Sequence, residues 1–194
     1  PLTLSANGFA IRARSDYDGL DPVSFVRADT ADESRNRLQA GRLGLRFEED
    51  GWTGSASLSR LTSTNRNLLA EAEQNRTGGR RDLVALDLGR SFATGALSHR
   101  LTVAAEWSRE RFTAADTIYG GFTDQRRRRS QAALTAEWRG ETGPLVATLA
   151  ARRDRFSDFA DATTLRAGAL VRLGKGWQVA GSLGEGIGQP TFFD

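Results

Sequence analysis

Gly41-Arg42-Leu43-Gly44-Leu45-Arg46-Phe47-Glu48 alternates its apolar and polar side chains position by position. Successive side chains of an extended chain point to opposite sides. Leu43, Leu45 and Phe47 therefore share one face, and Arg42, Arg46 and Glu48 the other. A helix would scatter the same residues around its circumference. Glu49-Asp50-Gly51 follows, and an Asp-Gly pair between alternating runs signals a hairpin turn. Trp52, Ala56 and Leu58 then oppose Thr53, Ser55, Ser57 and Ser59, so a second strand returns beside the first.

The same period runs through most of the chain, while helical periodicity is poor. Val84, Leu86, Leu88 and Phe92 oppose Ala85, Asp87, Gly89 and Ser91. Leu101, Val103, Ala105 and Trp107 oppose Arg100, Thr102, Glu106 and Ser108. Further alternating runs cover 132–139, 145–152, 164–173 and 177–184. With an opening strand near Leu2–Ser15, the pattern predicts about nine strands of roughly ten residues, the length a tilted strand needs to cross a bilayer. Strands of soluble sheets are nearer five or six. Tight glycine-bearing turns are expected at 48–51, 93–96, 140–143 and 174–176, alternating with longer polar links at 16–36, 63–80, 112–127 and 156–162. Outer-membrane barrels have this layout, with short periplasmic turns and longer external loops. The first strand changes phase at Asn7-Gly8, between Leu2, Leu4, Ala6 and Phe9, Ile11, Ala13. A bulge within one long strand is favoured over two short strands around a tight turn, because it keeps the up-and-down order.

The aromatic residues support a membrane reading. Phe47, Trp52, Phe92, Trp138 and Trp177 sit on the apolar face beside the short turns, and Trp107 lies near the opposite end of its strand. Rings at both edges of an apolar band make an interfacial girdle. Charges in the apolar register, such as Arg60, Arg90, Arg109, Arg153 and Glu185, fall towards strand ends, where facing lipid costs about 0–1 kcal/mol. The opposite face, rich in Arg, Glu, Asp, Ser and Thr, would be costly in a dry core and suits a watery lumen. Mean hydropathy is −0.45, as expected where apolar and polar residues alternate. The expected fold class is all-β: an antiparallel up-and-down transmembrane barrel, in part, over residues 1–194.

The end of the chain narrows the reading. Leu183-Gly184-Glu185-Gly186-Ile187-Gly188-Gln189-Pro190-Thr191-Phe192-Phe193-Asp194 resembles the stretch of TonB-dependent receptor barrels that ends a strand in Gly-x-Gly/Ala-Phe-x-Ala-Pro-Thr-Phe. Ile187 stands where Phe is usual, and Gln189 where Ala is usual. Gly186, Gly188, Gln189, Pro190, Thr191 and Phe192 carry the match. Within that family the chain is most similar to receptors for cobalamin and ferric siderophores. The resemblance implies a 22-stranded barrel around a folded plug, a size known for outer-membrane transporters, of which about nine strands form an unclosed part. It further implies a location in the outer membrane of a Gram-negative bacterium, with lipid and lipopolysaccharide around the barrel. TonB would act through an N-terminal plug region outside this stretch, and the cargo would be a scarce nutrient complex, siderophore-iron or cobalamin. Neither enzymatic chemistry nor a cofactor is expected.

Other candidate residues are weighed against plainer roles. Arg126–Arg129 is a solvated loop edge or a set of lumen charges paired with carboxylates, or else a bidentate contact to lipopolysaccharide phosphates in the outer leaflet. Nucleic acid is not expected, since no aromatic stacking platform accompanies the arginines. Asp16-Tyr17-Asp18-Gly19-Leu20-Asp21 imitates the start of a calcium loop, but Arg27 stands where the loop needs a bidentate Glu. His99, the single histidine, fits an interfacial ring better than a catalyst, and there is no cysteine. A passive porin-type barrel and a soluble β-sheet adhesin are the alternatives; the porin accounts for everything but the Gly186–Phe192 motif.

Overall fold

Nine strands run up and down in chain order, each antiparallel to its sequence neighbours. They are β1 (Leu2–Leu20), β2 (Arg27–Glu49), β3 (Trp52–Leu69), β4 (Ala72–Thr94), β5 (Leu97–Asp116), β6 (Gln125–Thr142), β7 (Leu145–Phe156), β8 (Ala162–Gly174) and β9 (Trp177–Gly184). This computed structural model describes residues 1–21, 23–118 and 120–188. Among them there is no helix, and the sheet is open, with β1 and β9 as its edges. It forms a single layer, so a dry core is missing: among the described residues only Leu68, Ala133 and Val146 are buried apolar side chains.

The register aligns the apolar positions of neighbouring strands into one continuous surface. Leu43 faces Leu58, Leu58 faces Val84, Val84 faces Trp107 and Trp107 faces Ala132. A lower row joins Phe47, Gly54, Leu88, Val103, Ala136 and Ala151 in the same way. Leu58, Leu88, Val103 and Trp107 are all exposed. On β5 the band runs from Leu97 to Trp107. At about 3.4 Å per residue and a tilt near 40° it is about 25 Å tall, the height of a lipid-facing band.

Two expectations need correction. Strands β1 to β6 are 18–23 residues long, not roughly ten. Most of the polar stretches assigned to long links continue the ladder: the link expected at 63–80 shrinks to Ala70-Glu71, both at positive φ (48° and 68°). There is thus an exception to the alternation of short and long connections. The physical reason lies beyond the band, where both faces of the sheet meet a polar medium. The period-two contrast fades there although the backbone pairing continues.

Nor is there a bulge at Asn7-Gly8. The β1–β2 register is unbroken from Leu2↔Phe47 to Tyr17↔Asp32, and it shifts only between Tyr17 and Gly19. Phe9 and Ile11 lie on the polar face opposite Ala40 and Leu38, with Leu61 beyond Ala40. The change of phase in the sequence is a small apolar patch on that face, not a change in backbone.

Turns at the other end are as tight as expected. Asp50-Gly51 and Lys175-Gly176 have positive φ at both positions, matching the twist of the strands they join.

Candidate functional site

The polar face carries networks that cross several strands. Glu110 on β5 sits directly opposite Arg81 on β4 and Arg129 on β6. Its two carboxylate oxygens meet Arg129 Nε at 2.5 Å and Arg81 Nε at 3.5 Å. Further round, Asp154 on β7 is buried, and it accepts hydrogen bonds from Arg152 (Nε, 2.9 Å) and Gln131 (Nε2, 2.8 Å). Arg152 also reaches Glu106 on β5 at 2.9 Å. It does so across β6, where small Ala133 lies between Glu106 and Asp154 in the register. Glu141 near the short-turn end accepts from Arg172 at 2.8 Å. Charges satisfied this way line a water-accessible surface without needing burial.

On the apolar face the rings form the expected girdle near the short turns. His99 stacks on Phe92 with centroids 4.7 Å apart, and its Nδ1 accepts a hydrogen bond from Trp138 Nε1 at 3.1 Å. Arg90 lies 4.8 Å over the Trp52 ring and donates to the Asp50 carbonyl at 3.0 Å. A charge at the band's edge is thus held by a turn and an aromatic face. Phe47 covers Gly54 opposite it, filling space that a Cβ there would occupy.

At the far end the connections are 21–26, 70–71, 117–124 and 157–161. Asp21 organises the first: its Oδ1 accepts from the amides of Val23 (3.0 Å) and Ser24 (2.7 Å) and from the Ser24 hydroxyl (2.9 Å). The Ser24 amide is the chief cause that holds this carboxyl below the usual carboxylate range. Asp16, by contrast, is in β1, paired in register with Glu33 and ion-paired to Arg14 at 3.2 Å. An extended strand spreads residues along its length at about 3.3 Å each, so Asp16 in β1 and Asp21 beyond its end do not wrap around a common point as a calcium loop does. Among the described residues no three His, Cys, Asp or Glu side chains cluster to hold a metal.

The structure separates the remaining candidates. Arg126–Arg129 belongs to β6 rather than to a loop edge: Arg127 and Arg129 face the polar side, Arg126 and Arg128 the apolar side. Of the terminal motif, Gly186 and Gly188 follow β9 with open space around them. Gln189, Pro190, Thr191 and Phe192 lie outside the described residues. Glu185 continues the pairing just past β9, its Oε2 accepting from the Leu165 amide at 3.0 Å. The cross-strand networks were not named in advance. Alternation placed their members on the polar face, but which residues meet depends on register between strands.

A model of the family described as TonB dependent receptor-like, beta-barrel matches residues 2–194. The chain belongs to the TonB-dependent receptor β-barrel family. Members of this family are receptors of the Gram-negative outer membrane, not enzymes. The apolar face of this receptor barrel is therefore its lipid side, and the polar face its lumen side. Solved structures share the fold at low identity. The ferric preacinetobactin receptor BauA of Acinetobacter baumannii superimposes with a TM-score of 0.67 at 12% identity, over 93% of this chain and 37% of its own. The siderophore receptor PiuA of the same organism gives 0.66 at 15%, over 94% and 39%. The unliganded ferric citrate transporter FecA gives 0.58 at 13%, over 93% and 33%. This receptor chain thus spans between a third and two fifths of the length of those receptors. No curated protein is similar enough in sequence to count as a relative.

Proposed function

We propose that this chain is part of a receptor that takes up a scarce nutrient complex, with siderophore-bound iron ahead of cobalamin, using energy delivered by TonB through a plug domain. The observation that carries the reading is the two-faced, nine-stranded sheet matched to the receptor family from residue 2 to residue 194. Iron is placed first because the similar structures are named as ferric or siderophore receptors. Strands β1 to β6 continue well past the apolar band at the long-loop end. Their tips, at 21–26, 70–71 and 117–124, would meet the complex outside the membrane, and the paired lumen charges would line its path beside the plug. Residues Gly186 to Phe192 would end a strand as in other members of the family.

The test is uptake by cells that carry the whole receptor in a strain lacking its own siderophore and cobalamin receptors. Accumulation of radiolabelled ferric siderophore or cobalamin, saturable at low concentration and lost when TonB is deleted, is the expected result. Uptake that rises linearly with concentration and ignores TonB would replace the receptor reading with a passive pore.

A further inference from the structure

Arg109 and Arg111 of β5 and Arg126 and Arg128 of β6 lie on the lipid side of the sheet, just beyond the apolar band. Arg111 sits directly between Arg80 and Arg128 in the register, and Arg109 between Asp82 and Ser130. Neighbouring strands are about 4.8 Å apart and same-face residues about 7 Å apart along a strand. The four stems on β5 and β6 therefore rise from a strip roughly 5 Å by 14 Å. Like charges directly opposite one another destabilise a sheet. The nearest carboxylate, Asp82, is already held by Arg60 at 2.5 Å and by Arg80 at 2.8 Å. Among the described residues no carboxylate pairs with Arg109, Arg111, Arg126 or Arg128.

A second lipid-side row, farther out, is built differently. Arg14, Arg35, Arg66 and Arg76 face one another across β1 to β4. Glu33 pairs with Arg14 at 3.2 Å and with Arg35, and Glu73 with Arg76 at 2.9 Å and Arg66 at 3.6 Å. Arginines far from the band are neutralised, and those beside it on β5 and β6 are left bare. Each same-face step lifts a residue about 5 Å at the usual tilt, so Arg109 and Arg111 stand about 5 and 10 Å beyond Trp107. That is the headgroup layer of the outer leaflet. Guanidinium groups bind phosphate through paired, charge-assisted hydrogen bonds, and Leu58, Val84 and Trp107 offer apolar surface directly below.

The geometry points to a lipopolysaccharide site: Arg109, Arg111, Arg126 and Arg128 hold the phosphates of its lipid anchor while the acyl chains lie on the band beneath. This rests on the barrel reading of the two faces and not on the identity of the nutrient. The test uses the whole receptor folded in detergent, with bound lipid counted by native mass spectrometry. The probes are phosphorylated lipopolysaccharide, the same lipid stripped of phosphate, phosphatidylglycerol and inorganic phosphate.

Phosphorylated lipopolysaccharide is expected to bind wild type. In the Arg109→Gln/Arg111→Gln/Arg126→Gln/Arg128→Gln variant binding should weaken at least about tenfold, the scale of one lost charge-assisted contact. The stripped lipid should bind wild type as weakly. Arg127→Gln, from the same run but on the lumen face, should bind like wild type. If the fourfold variant does not fold, as judged by heat-modifiable gel mobility, Arg111→Lys serves instead, keeping the charge and losing the planar fork. It should bind measurably more weakly than wild type. Equal binding by the variants or by the stripped lipid overturns the site. Equal binding of phosphatidylglycerol, or displacement by inorganic phosphate, makes it a general anion surface and overturns the lipopolysaccharide assignment. Uptake is not read here, so this result stands or falls apart from the transport reading.

Discussion

On strands β5 and β6 the two faces treat arginine in opposite ways. On the lumen side, Arg129 meets Glu110, Arg139 meets Glu141, Arg127 donates to Gln125 and Arg100 to Thr53. On the lipid side, Arg109, Arg111, Arg126 and Arg128 have no such partner among the described residues. The residue type and strands are the same; what differs is the medium each face meets. A lumen wall must satisfy its charges within the protein or with water. A surface entering the headgroup layer can leave cations bare for anions supplied by the membrane.

The largest effect should come from exchanging the two media. Leu88 lies midway down the lipid band on β4, between Gly54 and Val103 in the register. Leu88→Arg should cost about 2–4 kcal/mol, the penalty for Arg at the midplane of a membrane barrel. Ala85→Arg, three residues away on the lumen face opposite Glu106, should cost less than about 1 kcal/mol. Reversible denaturant unfolding of the whole receptor from lipid vesicles reads both. Similar costs at the two positions would mean that the faces have been assigned wrongly.

That assignment was legible in the sequence because a face pressed against lipid keeps a strict period. Leu43, Leu45 and Phe47 against Arg42, Arg46 and Glu48 sufficed to orient β2, and the family suggested by the stretch from Gly186 to Phe192 is borne out by the match from residue 2 to residue 194. The sequence was silent where the medium is polar on both sides: 63–80 showed no alternation, yet the ladder runs on to the two-residue turn at Ala70-Glu71. Phe9 and Ile11 misled for a related reason, since they sit on the lumen wall without altering the backbone. Ion pairs such as Arg152 with Glu106 were beyond reach. They depend on two strands being brought to a third in one register, and no single stretch encodes that.

A smaller effect tests whether lumen partners are needed. Asp154 is only 1% exposed and holds both Arg152 and Gln131. Asp154→Ala leaves those donors without their shared acceptor and should cost about 1–3 kcal/mol, the usual penalty for an orphaned buried partner. Arg152 retains Glu106, so the lower half of that range is expected. A second change, Glu106→Ala, should then cost more in the Asp154→Ala background than in wild type. Simple additivity of the two would show that Arg152 does not depend on either carboxylate, and the lumen network would lose its meaning as a network.

The smallest effect has the most telling sign. In neutral detergent with no anionic lipid, Arg111 is flanked by Arg80 and Arg128 in the register. Arg111→Gln should therefore stabilise the receptor, by about 0.2–1 kcal/mol, the size of a cross-strand pair interaction. Arg129→Gln removes the lumen pair with Glu110 and should destabilise it by a similar amount. Salt separates the two cases further. Raising ionic strength from about 0.01 to 0.15 M shortens the screening length from about 30 to about 8 Å. Repulsion among the lipid-side arginines weakens, so the advantage of Arg111→Gln should shrink with salt, and so should the deficit of Arg129→Gln. Denaturation midpoints at the two salt concentrations give all four values. An Arg111→Gln receptor less stable than wild type at low salt would mean that this guanidinium finds a partner inside the protein, and the difference between the faces would disappear.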